Sequence, residues 1–370
     1  PGDIASPIRS ILRRQRNTEV LLGEADRVDT AARTVHLSDG STLRYDSCIV
    51  ATGARHSYFG HNEWEAFAPG LKSLEDALEI RRRILLAFEA AERETDSVRR
   101  QRLLTFVIIG GGPTGVEMAG AIAEIRRYAL RRDFRRIDPR DAAVLLLEAG
   151  PRLLTSYPPA LSDWAKQALR RLGVDVRTET LVTEVGPNAV KAAGWHIPTH
   201  TVVWAAGNAA SPLLQSLGAP LDRQGRALVG PDCAIDRHPE VFVLGDAAAY
   251  GHQGSATLPG ICPVAIQMGD YAARTIRGEL AGQPRRPFRY FDKGQLAVIG
   301  RGRAVADLRR FGFHGFIAWL TWIFVHIFFL IGFRNRVLVM LEWAWSYLTY
   351  GLGARLIYGE PFARPPSPPA

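Results

Sequence analysis

Five residues within one short segment have the types and spacing that could bind a phosphorylated ligand: Gly110, Gly112, Pro113, Thr114 and Gly115. They follow an apolar run, 104–109 (LTFVII), that predicts a β-strand, and they precede a helical pattern over 116–135. The first glycine permits a tight turn, the second lets a pyrophosphate approach the backbone, and the third lets helix and strand pack closely. The loop therefore predicts a dinucleotide-binding βαβ unit.

An acidic residue, Glu148, stands at the end of the next predicted strand, 143–147. A carboxylate there accepts hydrogen bonds from both hydroxyls of an adenosine ribose and repels a 2′-phosphate, so it favours NADH over NADPH. The spacing from the glycines exceeds the usual figure of about 20 residues, which we attribute to a long crossover helix with an arginine-rich end. The alternative is a solvated surface glutamate.

A second strand-and-carboxylate pattern occurs at Gly245 and Asp246, directly after the apolar run 241–244. In flavoproteins with two dinucleotide folds, such an aspartate accepts a hydrogen bond from a ribityl hydroxyl. Two further apolar runs end in small residues, and these are Ala51, Thr52, Gly53 and Ala206, Gly207. Together these strand ends indicate two nucleotide-binding modules in one α/β protein.

The composition limits the classes of function. Net charge is +9, and nearly all of it comes from arginines interleaved with acidic residues, which favours a solvated surface or an anionic membrane face over a nucleic-acid groove. Cys48, Cys233 and Cys262 are far apart and form no CxxC pair or zinc-ligand spacing, so we expect reduced thiols, no redox disulfide and no metal. The chain begins at Pro1 without Met, which suggests a truncation.

The C-terminal part differs in kind, because 311–333 contains no Asp, Glu, Lys or Arg. At about 1.5 Å per residue this stretch could cross a hydrocarbon core as a helix. Interfacial aromatic residues follow in 337–350, and a proline-rich end follows them. His314 and His326 could mark a quinone path or a proton relay, although an interfacial position with satisfied polar edges is the more common arrangement.

Four segments resemble the type II NADH dehydrogenases, a family within the pyridine nucleotide-dependent flavoprotein reductases: 110–120 (GGGPTGVEMAG), 243–247 (VLGDA), 258–269 (LPGICPVAIQMG) and 330–336 (LIGFRNR). The resemblance covers essentially the whole chain. It implies an α/β fold with two Rossmann-like domains, one inserted in the other, and a C-terminal membrane-binding helical segment. The implied boundaries are 1–100 and 209–308 for an FAD domain without its first βαβ, 101–208 for an NADH domain, 309–356 for membrane helices and 357–370 for a disordered tail.

The resemblance also implies residue roles. Val264 and Ala265 join the FAD site, and Glu117 faces the nicotinamide and the flavin, although a first-turn glutamate also complements a helix dipole. The family's quinone segment corresponds to Pro263, Ile266 and Gln267. Pro263 replaces a frequent Gln and Ile266 replaces an occasional His, whereas Gln267 matches, so this chain departs from the family at part of its quinone site.

The implied activity is FAD-dependent oxidation of NADH with two-electron reduction of a membrane quinone and without proton pumping. The resemblance places the protein on the cytoplasmic side of the cell membrane, with the tail lying in the bilayer surface as a monotopic hairpin. The sequence leaves undecided whether the protein forms a homodimer. The alternatives are a reductase of a soluble acceptor, such as ferredoxin or rubredoxin, and an inactive membrane-bound scaffold with the same fold. The apolar tail argues against the soluble reductase, and the absent first βαβ supports the scaffold.

Overall fold

The computed structural model describes residues 6–130, 133–254, 257–309, 311–329, 337–341 and 357. The chain divides into two compact units. The first unit contains 58–207 and the described residues from 294 onward, together with residues 6 and 7; the second contains 8–57 and 208–293. The 330–336 segment, most of the aromatic run and the proline-rich end, for which we predicted membrane helices and a disordered tail, lie outside the described residues.

The α-helices are α1 (Ile8–Leu12), α2 (Leu74–Arg93), α3 (Ser97–Leu103), α4 (Pro113–Glu124), α5 (Pro159–Arg171), α6 (Cys262–Leu280) and α7 (Phe316–Phe329). The strands are β1 (Ala25–Asp29), β2 (Thr34–Leu37), β3 (Thr42–Arg44), β4 (Cys48–Val50), β5 (Ala54–His56), β6 (Thr105–Ile109), β7 (Ala143–Leu147), β8 (Val174–Arg177), β9 (Val182–Val185), β10 (Ala189–Ala192), β11 (Trp195–Pro198), β12 (Thr201–Trp204), β13 (Asn208–Ala210), β14 (Ala227–Leu228), β15 (Ala234–Ile235), β16 (His238–Val243), β17 (Ala248–Ala249), β18 (Gln295–Gly300), β19 (Arg303–Asp307) and β20 (Gly312–Gly315).

A four-stranded parallel sheet in the order β12-β6-β7-β8 forms the centre of the first unit. Every residue of β6 is buried, because the two faces of this strand enter different cores. Phe106 and Ile108 pack among the buried residues of α2, α4 and α5. Val107 and Ile109 pack against the antiparallel sheet β11-β10-β9. Burial on both faces explains why the sequence here is continuously apolar rather than alternating.

Helix α2 begins and ends where its apolar spacing predicts. Ser73 and Asp76 form a reciprocal capping box at its N-terminus, with the Ser73 hydroxyl accepting from the Asp76 N–H at 3.0 Å. Its buried face reaches the sheet through Phe88, whose ring lies 5.2 Å from that of Phe106. Residues 58–100 lie in the same compact unit as this sheet.

The first unit also contains the antiparallel sheet β18-β19-β20 and helix α7. Strand β18 packs against α4 so closely that a Cβ added to Gly120 would overlap the Ile299 carbonyl oxygen. Ala318 and Trp319 of α7 are buried against Ala304 and Ala306 of β19. Residues 294–308 thus lie in the first unit, and the predicted domain boundaries stay predictions. Within the described part of the chain, no helix has the length and hydrophobicity needed to cross a membrane.

The second unit is built on the parallel pair β16 and β4, in which Phe242 pairs with Ile49. Strand β15 adds to β16, and helix α6 contributes Val264 and Met268 to the core that contains Phe242. The expected hairpin joins β2 to β3 in the meander β1-β2-β3. The α/β fold class is confirmed for the described residues.

Three local predictions were wrong. The pattern of residues 18–22 predicts a short strand, but these residues form none, and Leu22 is fully exposed. The sequence also predicts a short helix over 8–16, whereas α1 ends at Leu12. The helix expected over 116–135 ends at Glu124 and continues only as a π-helical turn, Ile125–Ala129. Farther along, the Glu92 carboxylate accepts the backbone N–H groups of 135–137, so these residues make carboxylate rather than helical hydrogen bonds.

Candidate functional site

The glycine loop of the first unit connects β6 to α4 at the carboxyl edge of the parallel sheet. Gly110 has φ +109°, and a Cβ there would lie 2.6 Å from the Ala205 carbonyl oxygen. A Cβ on Gly115 would overlap the Gly110 carbonyl oxygen, so helix and strand meet without side chains between them. A Cβ added to Gly112, by contrast, would have no neighbouring atom within 4 Å. The position expected to face a pyrophosphate is therefore the open one.

Helix α4 begins at this loop with free backbone N–H groups. Gly112 is its N-cap and supplies no side-chain hydrogen bond, and Pro113 occupies the first turn. Pro113 and Thr114 are exposed. An uncapped helix N-terminus with a positive dipole end is a suitable place for a phosphate group.

The Glu148 carboxylate lies beside this loop, directly after β7. One oxygen accepts the Gly111 N–H at 2.5 Å, and the other accepts the Gly150 N–H at 2.6 Å. These two bonds fix the carboxylate, and each oxygen keeps a lone pair for a further donor. Such a fixed acceptor at a strand end can bind the hydroxyls of a ribose, as the sequence predicts.

Residues 205–207 complete the edge from the other side, because β12 lies next to β6 in the sheet. Ala205 contacts the loop through its backbone, the Ala206 N–H lies 2.8 Å from the place of a Gly110 Cβ, and Gly207 has φ +82°. The chain reverses its strand order between β6 and β12, and ligands of open α/β sheets bind at such a point. The predicted NADH residues of the first unit are therefore together.

Glu117 lies one helical turn after the loop and points toward β18. Its carboxylate accepts a single hydrogen bond, from the Val298 N–H at 3.2 Å. Burial raises the pKa of Glu117 to about 7, and the Val298 bond offsets only part of that rise. Burial also raises the pKa of the neighbouring Tyr157, and the Glu117 charge adds to the effect. Glu117 is thus an acid that titrates near neutral pH.

A second strand edge lies in the second unit, where β4 and β16 end side by side. The Leu244 N–H donates to the Val50 carbonyl at 3.0 Å, which aligns 51–53 with 245–246. Gly245 has φ +65°, and a Cβ there would lie 3.0 Å from the Ala265 Cβ of α6. Ala51, Thr52, Gly53, Gly245 and Asp246 therefore occupy one edge, as expected for an FAD site.

The Asp246 side chain lines a cavity of about 300 Å³. It is half-buried and accepts no hydrogen bond from the residues that the structure describes. The motifs did not predict the polar residues that share this cavity: Asn208, Gln224 and Arg226. Asn208 begins β13, whereas Gln224 and Arg226 belong to the later turn 222–226, in which the Asp222 carboxylate holds Arg226 at 2.7 Å. An unpartnered carboxylate among hydrogen-bonding side chains fits the hydroxyl-rich ribityl part of FAD.

Helix α6 carries the remaining predicted residues. Val264 is buried in its first turn, and Ala265 contacts Gly245. Pro263 lies in the same turn, and Ile266 is 45% exposed. The Gln267 amide is already engaged, since its nitrogen donates to the Phe291 carbonyl and its oxygen accepts the Phe291 N–H, both at 2.9 Å. Its polar atoms hold the chain before Lys293.

The protein has two sheet edges at which parallel strands end, each with a glycine turn and a carboxylate. This arrangement is typical of the pyridine nucleotide-dependent flavoprotein reductases. A family model for pyridine nucleotide-disulphide oxidoreductases matches residues 1–269, and one for the NDH2 C-terminal domain matches 293–350. Type II NADH:quinone oxidoreductase Ndh of Mycobacterium tuberculosis is 44% identical over 98% of this chain and 81% of its own length. Type II NADH:quinone oxidoreductase NdhA of the same organism is 43% identical over 97% of this chain and 79% of its own length. The chain belongs to the type II NADH:quinone oxidoreductase family.

The fold is similar to that of NDH2 from Plasmodium falciparum, solved in complex with NADH. The TM-score is 0.84 at 19% identity, with 96% of this chain and 88% of that chain covered. The ferredoxin reductase of Rhodopseudomonas palustris gives a TM-score of 0.60 over 81% of this chain and 67% of its own. The fold is therefore shared with reductases of other acceptors, and sequence identity distinguishes the family.

Proposed function

We propose that this protein oxidises NADH and passes two electrons through bound FAD to a membrane quinone, without proton pumping. The observation that carries the proposal is the pair of strand edges: Glu148 beside the glycine loop in the first unit, and Asp246 beside Gly245 in the second. FAD supplies the hydride acceptance and the two-electron transfer to quinone. The relatives named for this reaction cover almost the whole chain.

The residues of the first unit bind and select NADH in this proposal. The loop at Gly112 leaves space for the pyrophosphate, and the N-terminus of α4 stabilises its charge. Glu148 accepts from the adenosine ribose and repels a 2′-phosphate. Glu117, with a pKa of about 7, holds or releases a proton near the reacting end of the dinucleotide.

The residues of the second unit hold FAD. Asp246 accepts from the ribityl hydroxyls, and the close contact of Gly245 with Ala265 keeps side chains out of the turn. Pro263 and Ile266 form the start of the quinone site on α6. Gln267 supports that site indirectly, because its amide is bound to the Phe291 backbone.

We further propose that α7 attaches the protein to the cytoplasmic face of the cell membrane. Its exposed large apolar side chains lie within one third of the helix circumference and are Phe316, Ile317, Leu320, Phe324 and Phe328. The opposite face, with Ala318 and Trp319, packs on β19. A helix packed on one side and apolar on the other suits a bilayer surface rather than a soluble electron acceptor. The three cysteines are free, as in a reducing compartment.

The test is flavin content and quinone-dependent NADH oxidation of the detergent-purified protein, compared with Asp246→Asn and a control, Asp163→Asn. Asp163 is exposed and makes no hydrogen bond with a described residue. We expect Asp246→Asn to weaken FAD binding by about tenfold or more, the usual effect of losing a charged acceptor, and Asp163→Asn to behave as wild type. A flavin-loaded protein that reduces ferredoxin but no quinone would establish the soluble-acceptor alternative. Absence of flavin at any FAD concentration would establish the scaffold.

A further inference from the structure

A pocket of about 360 Å³ in the first unit is lined by five arginines and no carboxylate. The arginines are Arg126, Arg127, Arg140, Arg170 and Arg171, with Leu172 and Gly173 completing the wall. None of them has a role in the proposed NADH or FAD sites. Because like charges in one small pocket repel one another, an anion bound there would stabilise this lining.

The topology places this pocket at the edge of the sheet opposite the glycine loop. Arg140 lies in the short 3₁₀ turn directly before β7, and Arg170 and Arg171 end α5, shortly before β8 begins. Arg126 and Arg127 lie in the π-helical turn after α4, and Arg126 donates to the carbonyl of Ala142, the residue before β7. The strands are parallel, so their starts form one edge and their ends form the other. A ligand in the pocket therefore does not overlap with a dinucleotide at Gly110–Gly115.

Arginines are common at helix C-termini because they can donate hydrogen bonds to the last carbonyl groups. In this pocket only Arg126 makes such bonds with described residues. Its guanidinium donates to the carbonyl oxygens of Ala142, Leu172 and Gly173. Burial lowers the pKa of Arg126, and the positive charge of Arg127 lowers it further. Arg126 thus already binds the carbonyl groups at the end of α5, and the other arginines need a different explanation.

The remaining four are available to a ligand to different degrees. Arg140 is paired with Asp138 through Nε and Nη2. Arg127 lies over the Tyr128 ring at 5.5 Å, and neither it nor Arg170 nor Arg171 has a hydrogen bond or ion pair with any residue that the structure describes. Three guanidinium groups around a pocket therefore present free donors beside the fixed charge of Arg126.

We propose that this pocket binds a small molecule through a doubly charged phosphoryl group. Guanidinium groups form paired hydrogen bonds with phosphate oxygens, and a tetrahedral phosphoryl group can accept from several arginines at once. The volume lies at the lower end of the range for small-ligand sites. The phosphoryl group comes either from a soluble diphosphate or from the headgroup of an acidic phospholipid.

The test is calorimetric titration of the FAD-loaded protein in detergent with inorganic pyrophosphate, and separately with a short-chain phosphatidic acid below its micellar concentration. NAD⁺ is kept saturating so that the glycine loop is occupied. The variant is Arg170→Gln/Arg171→Gln, which removes two charges and keeps polar side chains at exposed positions. The control is Arg223→Gln/Arg277→Gln, two exposed arginines of the second unit that make no hydrogen bond with a described residue.

We expect one of the two ligands to bind wild type and the control equally, and to bind the Arg170/Arg171 variant at least about tenfold more weakly, because two charged donors are lost. The affinity should also fall as salt is raised. Tighter pyrophosphate binding identifies a soluble ligand, and tighter phosphatidic acid binding identifies a lipid headgroup. The proposal is overturned when neither ligand binds wild type, or when the variant binds as tightly as the control.

Discussion

Replacing Glu117 with Gln should make the protein less sensitive to pH, because Glu117 carries a strongly displaced pKa. Its ordinary value of 4.5 rises to about 7 in the folded chain. Below about pH 4.5 the carboxyl group is protonated in both the folded and unfolded chain and imposes no penalty. Above pH 7 the folded chain must hold a buried negative charge. Stability is therefore lost as pH rises from 4.5 to 7, by up to about 3 kcal/mol for a shift of this size.

The assay is urea unfolding of wild type and Glu117→Gln at pH 5 and pH 8. Gln keeps an oxygen for the Val298 N–H and carries no charge. From pH 5 to pH 8 the free energy of unfolding of the variant, relative to that of wild type, should therefore rise by up to about 3 kcal/mol. Glu89→Gln is the matched control, since Glu89 is exposed on α2 and makes no hydrogen bond with a described residue. A stability difference between Glu117→Gln and wild type that stays constant with pH would refute the reasoning, because it would mean that Glu117 titrates normally. The pH profile of NADH oxidation should also lose an apparent pKa near 7 in this variant.

Three further predictions concern the first unit. Gly115→Ala should destabilise the fold by about 1–3 kcal/mol or more, because the added Cβ would overlap backbone atoms. Gly112→Ala should fold normally and raise KM for NADH. Equal unfolding midpoints for the two variants would contradict the loop geometry. Glu148→Gln should lower the preference for NADH over NADPH by about tenfold or more, measured as the ratio of kcat/KM values, and an unchanged ratio would exclude Glu148 from selection. Leu320→Glu should reduce binding to phospholipid vesicles at least about tenfold while Leu280→Glu, on an exposed leucine of α6, should not; equal losses would separate α7 from membrane attachment.

The glycine loop and Glu148 could be predicted because they follow a local pattern: a buried strand, a turn that only glycine can form, and a helix start. Each residue's place depends on neighbours a few positions away in the chain. The same holds for α2, whose capping box and apolar spacing fix both ends. Predictions of this kind depend on backbone geometry, and distant packing modifies them little.

The rest depends on contacts between residues far apart in the sequence. The pKa of Glu117 depends on burial against β18, whose Val298 lies 181 positions away. Residues 135–137, which were expected to be helical, instead donate their backbone N–H groups to Glu92, 43 positions before Arg135. The five arginines that line the pocket of about 360 Å³ come from three segments, none of which has a recognisable motif. Tertiary contacts override local propensity at such places.

The two carboxylates at the strand edges differ in a way that suits an exchanging substrate and a resident cofactor. Glu148 is fixed by two backbone N–H groups, so its site is already ordered before NADH binds and binding requires little rearrangement. Asp246 accepts nothing from the described residues, so both of its carboxylate oxygens are available to the donors that a ligand supplies. A ligand at 100 times its Kd stabilises a fold by about 2.7 kcal/mol. FAD at the Asp246 edge should therefore act as part of the second unit's structure, whereas NADH at the Glu148 edge can leave and return in each turnover.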